Sequence, residues 1–152
     1  MHLTLDIPVG DFTFEICSKV VSYVNEQKEI KFDYKYYLEG FRAFYMGDYI
    51  KTIAMCSPAL ESALLHGIKV FAGVKGVYFL DKLLGKYRML GGYFTLAEDL
   101  EMDLPTNDYR EDLLKLRNKV IHKGYTPTKD EAEKFLKDVG IYITAFSGGI
   151  LE

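Results

Sequence analysis

Apolar residues recur at spacings of three and four along almost the whole chain, and the two-residue alternation of strands is nearly absent. A chain patterned this way is confined to helices that each bury one stripe against the others. The expected class is therefore all-α, an antiparallel helical bundle. The 152 residues are the size of one domain, spanning 1–152. With 49% hydrophobic residues, a chain of this length fills a core without disulfide or metal support. The spacing and the end signals at Gly47, Gly91 and Gly124 predict helices near 11–27, 33–46, 48–67, 77–90, 107–123 and 129–147.

Residues 1–10 read as an extended lead-in, with Asp11 able to cap a first helix that buries Phe14, Cys17, Val21 and Val24. The aromatics of the second helix, from Tyr34 to Tyr45, read as core filling rather than a base-stacking platform. In the third, Ile50, Ile53, Ala54, Ser57, Leu60, Leu64 and Ile68 trace one stripe. Pro58 lies inside it, which predicts a kink or a restart with Ser57 as cap. Glu61 borders the same stripe, either as a solvated carboxylate or as the partner of a buried cation. Gly73-Val74-Lys75-Gly76 is no phosphate loop, having neither a preceding strand nor a following Gly-Lys-Ser/Thr. Thr128 and Glu131 have the spacing of a capping box, and the helix they open carries Ala132, Phe135, Leu136, Val139, Tyr142, Ile143 and Phe146 on one face.

Charge and cysteine content narrow the function. A net charge of -3 argues against a broad phosphate-binding surface but leaves room for a small basic site. Cys17 and Cys56 read as free thiols in a reducing compartment, and no Cys/His spacing resembles a metal site. No cofactor is expected. No apolar run is long enough to span a membrane, and the first ten residues lack the pattern of a signal peptide. The expected location is cytoplasmic, with no membrane partner.

A basic cluster stands out in this acidic chain. Lys115, Arg117, Lys119, His122 and Lys123 follow one another with no acidic residue between Leu113 and Lys123. On a helical wheel with Leu113 at zero, Leu116 falls near -60°, Val120 near -20°, Ile121 near +80° and Leu114 near +100°, so Arg117 at about +40° falls inside the apolar arc. A guanidinium there needs a partner or a second subunit. His122 lies about 140° away from Arg117, so one regular helix does not aim both side chains at one point. They would converge more easily if the helix ended between them, or if two copies of it met, and the second predicts a homodimer. His122 also occupies the last turn, where unpaired carbonyls favour a cation, a placement that suits a general acid.

The segment Arg117-Asn118-Lys119-Val120-Ile121-His122 resembles the arginine, polar residue, three variable residues and histidine of HEPN domains. The flanks are similar too: a leucine-rich helix before, Gly124-Tyr125-Thr126-Pro127 and a capped helix after, and an earlier long helix with its acidic residue at Glu61. The resemblance covers roughly residues 33–147 and implies a four-helix core, to which the first helix is an addition. It further implies a metal-independent endoribonuclease, a toxin or defence component, whose two protomers form a composite site. Arg117, His122 and Asn118 would be catalytic; Lys115, Lys119 and Lys123 would bind RNA; Glu61 and Tyr125 would support them. The same resemblance admits a catalytically silent module for dimerisation, nucleotide binding or partner binding. An antitoxin or nucleotidyltransferase is the kind of partner it implies. The family tyrosine that such a partner modifies lies two residues after the histidine; here that position is Gly124, and Tyr125 reads as a packing residue at the turn.

Overall fold

The computed structural model describes residues 11–76 and 80–151. The lead-in at 1–10, the capping side chain of Asp11 and the expected helix start at Val77 lie outside the described residues. The elements are α1 (Asp11–Asn25), α2 (Phe32–Tyr45), α3 (Tyr49–Lys75), α4 (Leu80–Lys86), α5 (Met89–Asp99), α6 (Leu116–Lys123) and α7 (Lys129–Phe146), with a π-helical turn, Arg110–Lys115, leading into α6. Among the described residues the only strand-like pairing is one isolated antiparallel bridge, Ile30 to Leu151. The all-α class read from the spacing is the class observed.

The long helix α3 is the spine, packed against α2, α5, α6 and α7. Only Met46, Gly47 and Asp48 separate α2 from α3, so the two form an antiparallel hairpin. Gly47 supplies the left-handed turn at φ 79°, and Asp48 accepts the Lys51 amide at 3.0 Å to cap α3. Leu60, Leu64 and Ile68 of α3 meet Phe135, Leu136, Val139 and Ile143 of α7 in one continuous core. The α7 stripe is buried as expected apart from Phe146, which is half-buried.

Several boundaries differ from the expected ones. α3 neither restarts at Pro58 nor ends near Gly67. Ser57 does not cap; it is buried and its hydroxyl donates back to the Ile53 carbonyl at 2.6 Å. Burial against four neighbours outweighs the ~3 kcal/mol that an interior proline costs. Gly67 is a packing residue: a Cβ there would lie 2.6 Å from the Phe146 ring. Gly91 and Gly92 do not stop a helix but sit in the first turn of α5. The break comes earlier, at Met89 with φ 61°, and a Cβ on Gly92 would meet the Tyr87 backbone at 2.9 Å. In α1 the buried face is Thr13, Ile16, Cys17 and Val20, one step round from the expected stripe, with Phe14 and Val24 exposed. Cys17 and Cys56 are free and buried, and burial pushes both thiols up.

The capping box at α7 is complete. Thr128 Oγ1 accepts the Glu131 amide at 3.1 Å, and Glu131 Oε1 accepts the Thr128 amide at 3.0 Å. The same carboxylate oxygen accepts the Tyr125 hydroxyl at 2.7 Å. That hydroxyl, with the Thr128 donors and the Lys119 charge behind it, holds the Glu131 carboxyl below its ordinary range. A depressed folded-state pKa stabilises the fold above the ordinary carboxylate range, and the stabilisation is lost as pH falls below it. Glu131→Ala is therefore expected to cost about 1 kcal/mol near neutral pH and less in acid. Urea denaturation at several pH values checks this; an equal loss at every pH would contradict it.

Candidate functional site

The site is built where α6 ends. Leu116 and Val120 turn inward, 7% and 6% exposed, and fix the helix on α3. Arg117 then lies about 80° from the centre of the buried stripe, at its edge rather than inside it. The wheel placed Arg117 inside the arc because it counted Ile121 on the far side, and Ile121 is 42% exposed; the turn that precedes α6, Arg110–Lys115, is π-helical, with wider i→i+5 bonding. Arg117 is half-buried, with its Nε buried and, among the described residues, without a hydrogen-bond partner.

Gly124, at φ 65°, closes the helix. Its amide and that of Tyr125, the latter at 3.0 Å, both reach the Lys119 carbonyl. His122 stands exposed in this last turn. Arg117 Nη1 donates to Asn118 Oδ1 at 3.0 Å and lies 3.5 Å from His122 Nε2. The motif's three polar side chains thus converge within one chain, against the expectation that a single helix cannot aim them together. A wheel tracks Cβ directions; the long arginine chain runs along the helix surface and ends near a residue five positions on.

The remaining candidates are dispersed. Lys115 is exposed and bound to Glu111 at 3.0 Å. Lys119 places its ammonium 4.6 Å from the centroid of the Tyr125 ring, a cation–π contact that sets the ring beside the motif helix. Lys123 is exposed and, among the described residues, in no ion pair. Glu61 is half-buried on α3 and makes no hydrogen bond or ion pair among the described residues, so it is not the partner of Arg117. Its neighbour is Tyr93, whose hydroxyl is pushed up by burial and then by the Glu61 charge.

Two clamps on the π-helical turn escaped the sequence reading. Arg110 grips Glu98 of α5 with a fork, Nε to Oε1 at 2.7 Å and Nη2 to Oε2 at 2.8 Å, and Tyr109 donates to the same carboxylate at 2.6 Å. The Arg110 fork is the main cause of the lowered Glu98 carboxyl. On the other side Lys134 of α7 bridges Asp112 at 3.4 Å and Asp138 at 3.1 Å. No periodic signal marks pairs so far apart in sequence. Together they hold the wide turn in place and so set the direction in which α6 presents Arg117.

Among the described residues no group of three His, Cys, Asp or Glu side chains is placed to hold a metal ion. No helix among them is long and apolar enough to cross a membrane. No family model, no curated protein and no solved structure matches the chain.

Proposed function

We propose that this protein is a metal-independent endoribonuclease of the HEPN type, acting as a homodimer in a toxin or other defence system. The observation that carries the reading is the approach of Arg117 Nη1 to His122 Nε2 at 3.5 Å, on an exposed helix end and beside Asn118. A proton-transfer group next to a phosphate-binding fork is what transesterification of RNA needs. The RNA 2′-oxygen bonds to the adjacent phosphorus as its proton leaves with the help of His122. The bond from phosphorus to the 5′-oxygen breaks, and that oxygen takes up a proton. Arg117 offsets the charge on the phosphate oxygens, and Asn118 orients the guanidinium. The nucleophile belongs to the RNA, so the scheme calls on neither metal nor water.

The exposed Ile121 beside Arg117 supports a second copy of α6 facing the first. Lys123 is exposed and would meet RNA directly, whereas Lys119 would first leave the Tyr125 ring and Lys115 would first leave Glu111. An inhibiting partner, an antitoxin or a nucleotidyltransferase, would act by covering this basic side. Lys115's ion pair also fits a silent dimerisation or partner-binding module of the same type, since it reduces the basic surface.

The test is incubation of purified protein with mixed RNA in the presence of a chelator. Fragments ending in 2′,3′-cyclic phosphate are expected. A requirement for added magnesium would rule the mechanism out, and RNA left intact under all conditions would hand the assignment to the silent module.

A further inference from the structure

Resting on the ribonuclease reading above, we propose that α4 and its junction with α5 form a second RNA anchor, in which Lys86 and Arg88 hold backbone phosphates of a strand whose scissile bond lies at Arg117 and His122.

Between Leu80 and Leu90, Lys82, Lys86 and Arg88 stand against one carboxylate, Asp81, in a chain of net charge -3. The fold turns this charge outward. Leu80, Leu83, Leu84 and Tyr87 are half-buried and packed against the core, whereas Asp81, Lys82, Gly85, Lys86 and Arg88 are exposed. The outer face of α4 therefore offers cations and no apolar side chain to insert, which suits a polyanion better than a lipid surface.

The cations are available to a ligand. Lys86 is in no ion pair among the described residues. Arg88 spends one donor, Nε, on the Gly85 carbonyl at 2.9 Å. Its terminal nitrogens, bonded to nothing among the described residues, remain for a phosphate.

Position joins this face to the motif. Arg88 directly precedes α5, and Gly91 in the first turn of α5 lies against the turn that leads into α6, where a Cβ would be 3.6 Å from Leu114 Cδ1. Arg88 comes three residues before Gly91, and Arg117 three residues after Leu114, so each lies one helical turn, about 5.4 Å of rise, from the contact. The Arg110–Glu98 fork and the bond from Arg110 Nη2 to Thr95 Oγ1 at 3.2 Å fix α5 on the same turn. On these two elements Glu98, Glu111 and Asp112 are each bound to a cation, and Asp99 accepts the Tyr87 hydroxyl. A strand running from α6 to α4 thus passes carboxylates whose charge is already offset. Contacts to phosphate carry no base preference, so the anchor lengthens the strand held without selecting its sequence.

The experiment measures binding to the full chain by fluorescence anisotropy, using two labelled 2′-deoxy oligonucleotides that lack the attacking hydroxyl, one of about twelve nucleotides and one of about three. The longer probe is expected to bind more tightly and with the steeper salt dependence. Lys86→Gln/Arg88→Gln should weaken the longer probe about tenfold, lower its salt slope by about 0.7 for each cation removed, and leave the shorter probe unchanged. Lys86→Gln alone should lower the slope by half as much. Lys19→Gln/Lys35→Gln removes the same charge from exposed positions on α1 and α2 and should change neither probe. Binding of neither probe by the wild type, an unchanged longer probe in Lys86→Gln/Arg88→Gln, equal weakening of both probes, or the same loss in Lys19→Gln/Lys35→Gln would each overturn the proposal. Binding to phosphatidylglycerol vesicles in place of the longer probe would also overturn it and assign α4 to a lipid surface. RNA cleavage with Lys86 and Arg88 dispensable would leave the ribonuclease reading standing without the anchor. Binding that depends on them, without cleavage, would keep the anchor and remove the ribonuclease.

Discussion

Replacing His122 by alanine is expected, on the proposed ribonuclease reading, to lower RNA cleavage about a hundredfold to ten-thousandfold while leaving the helical fold in place. The side chain is exposed at the end of α6, and among the described residues its only hydrogen bond is the long one from Arg117. Nothing in the core leans on it, so folding and catalysis separate cleanly at this position. Arg117→Ala is expected to cost about a hundredfold to a thousandfold in rate, with a second effect that His122→Ala lacks. Its half-buried stem lies at the edge of the stripe made by Leu116 and Val120, so its loss should also weaken the proposed homodimer. Initial rates on a labelled RNA, circular dichroism and light scattering on the same samples distinguish the two. Full activity in the His122→Ala protein would remove this motif from consideration as the catalytic centre.

The helix pattern was legible wherever one stripe faced one core. α7 reads correctly from Thr128 to Phe146 because its cap, its apolar face and its end all lie within the same stretch of sequence. The meaning of the glycines was not legible. Gly67 and Gly92 look like breaks along the chain but are places where Phe146 and Tyr87 come too close for a Cβ. That information sits some distance along the chain or across the fold. The π-helical turn before α6 was missed for a related reason. The π-helical turn is held by Glu98 from α5 and Lys134 from α7, and neither is visible in the local spacing of Arg110 to Lys115. The motif residues themselves were singled out by type and order. Their convergence was not, because it depends on side-chain reach and on a helix end rather than on angle alone.

The tightest approach between helices gives the largest expected effect on stability. Gly40 of α2 lies against α3, where an added Cβ would fall 2.2 Å from Cys56 Sγ and 3.3 Å from the Thr52 carbonyl oxygen. Both Cys56 and Thr52 are fully buried, so neither can swing aside into solvent. Alanine in place of an interior helical glycine would normally gain up to about 1 kcal/mol. Here the overlap reverses the sign, and Gly40→Ala is expected to destabilise by about 2 kcal/mol. Most of that loss comes from one sulfur atom, so Cys56→Ala should relieve it. The double variant Gly40→Ala/Cys56→Ala is then expected to be more stable than the sum of the single changes implies, by about 1 kcal/mol or more. Urea denaturation of the four proteins closes the cycle. Simple additivity would mean that α2 and α3 part along their whole length to admit the methyl group, and that the close contact at Gly40 does not set the spacing of the hairpin.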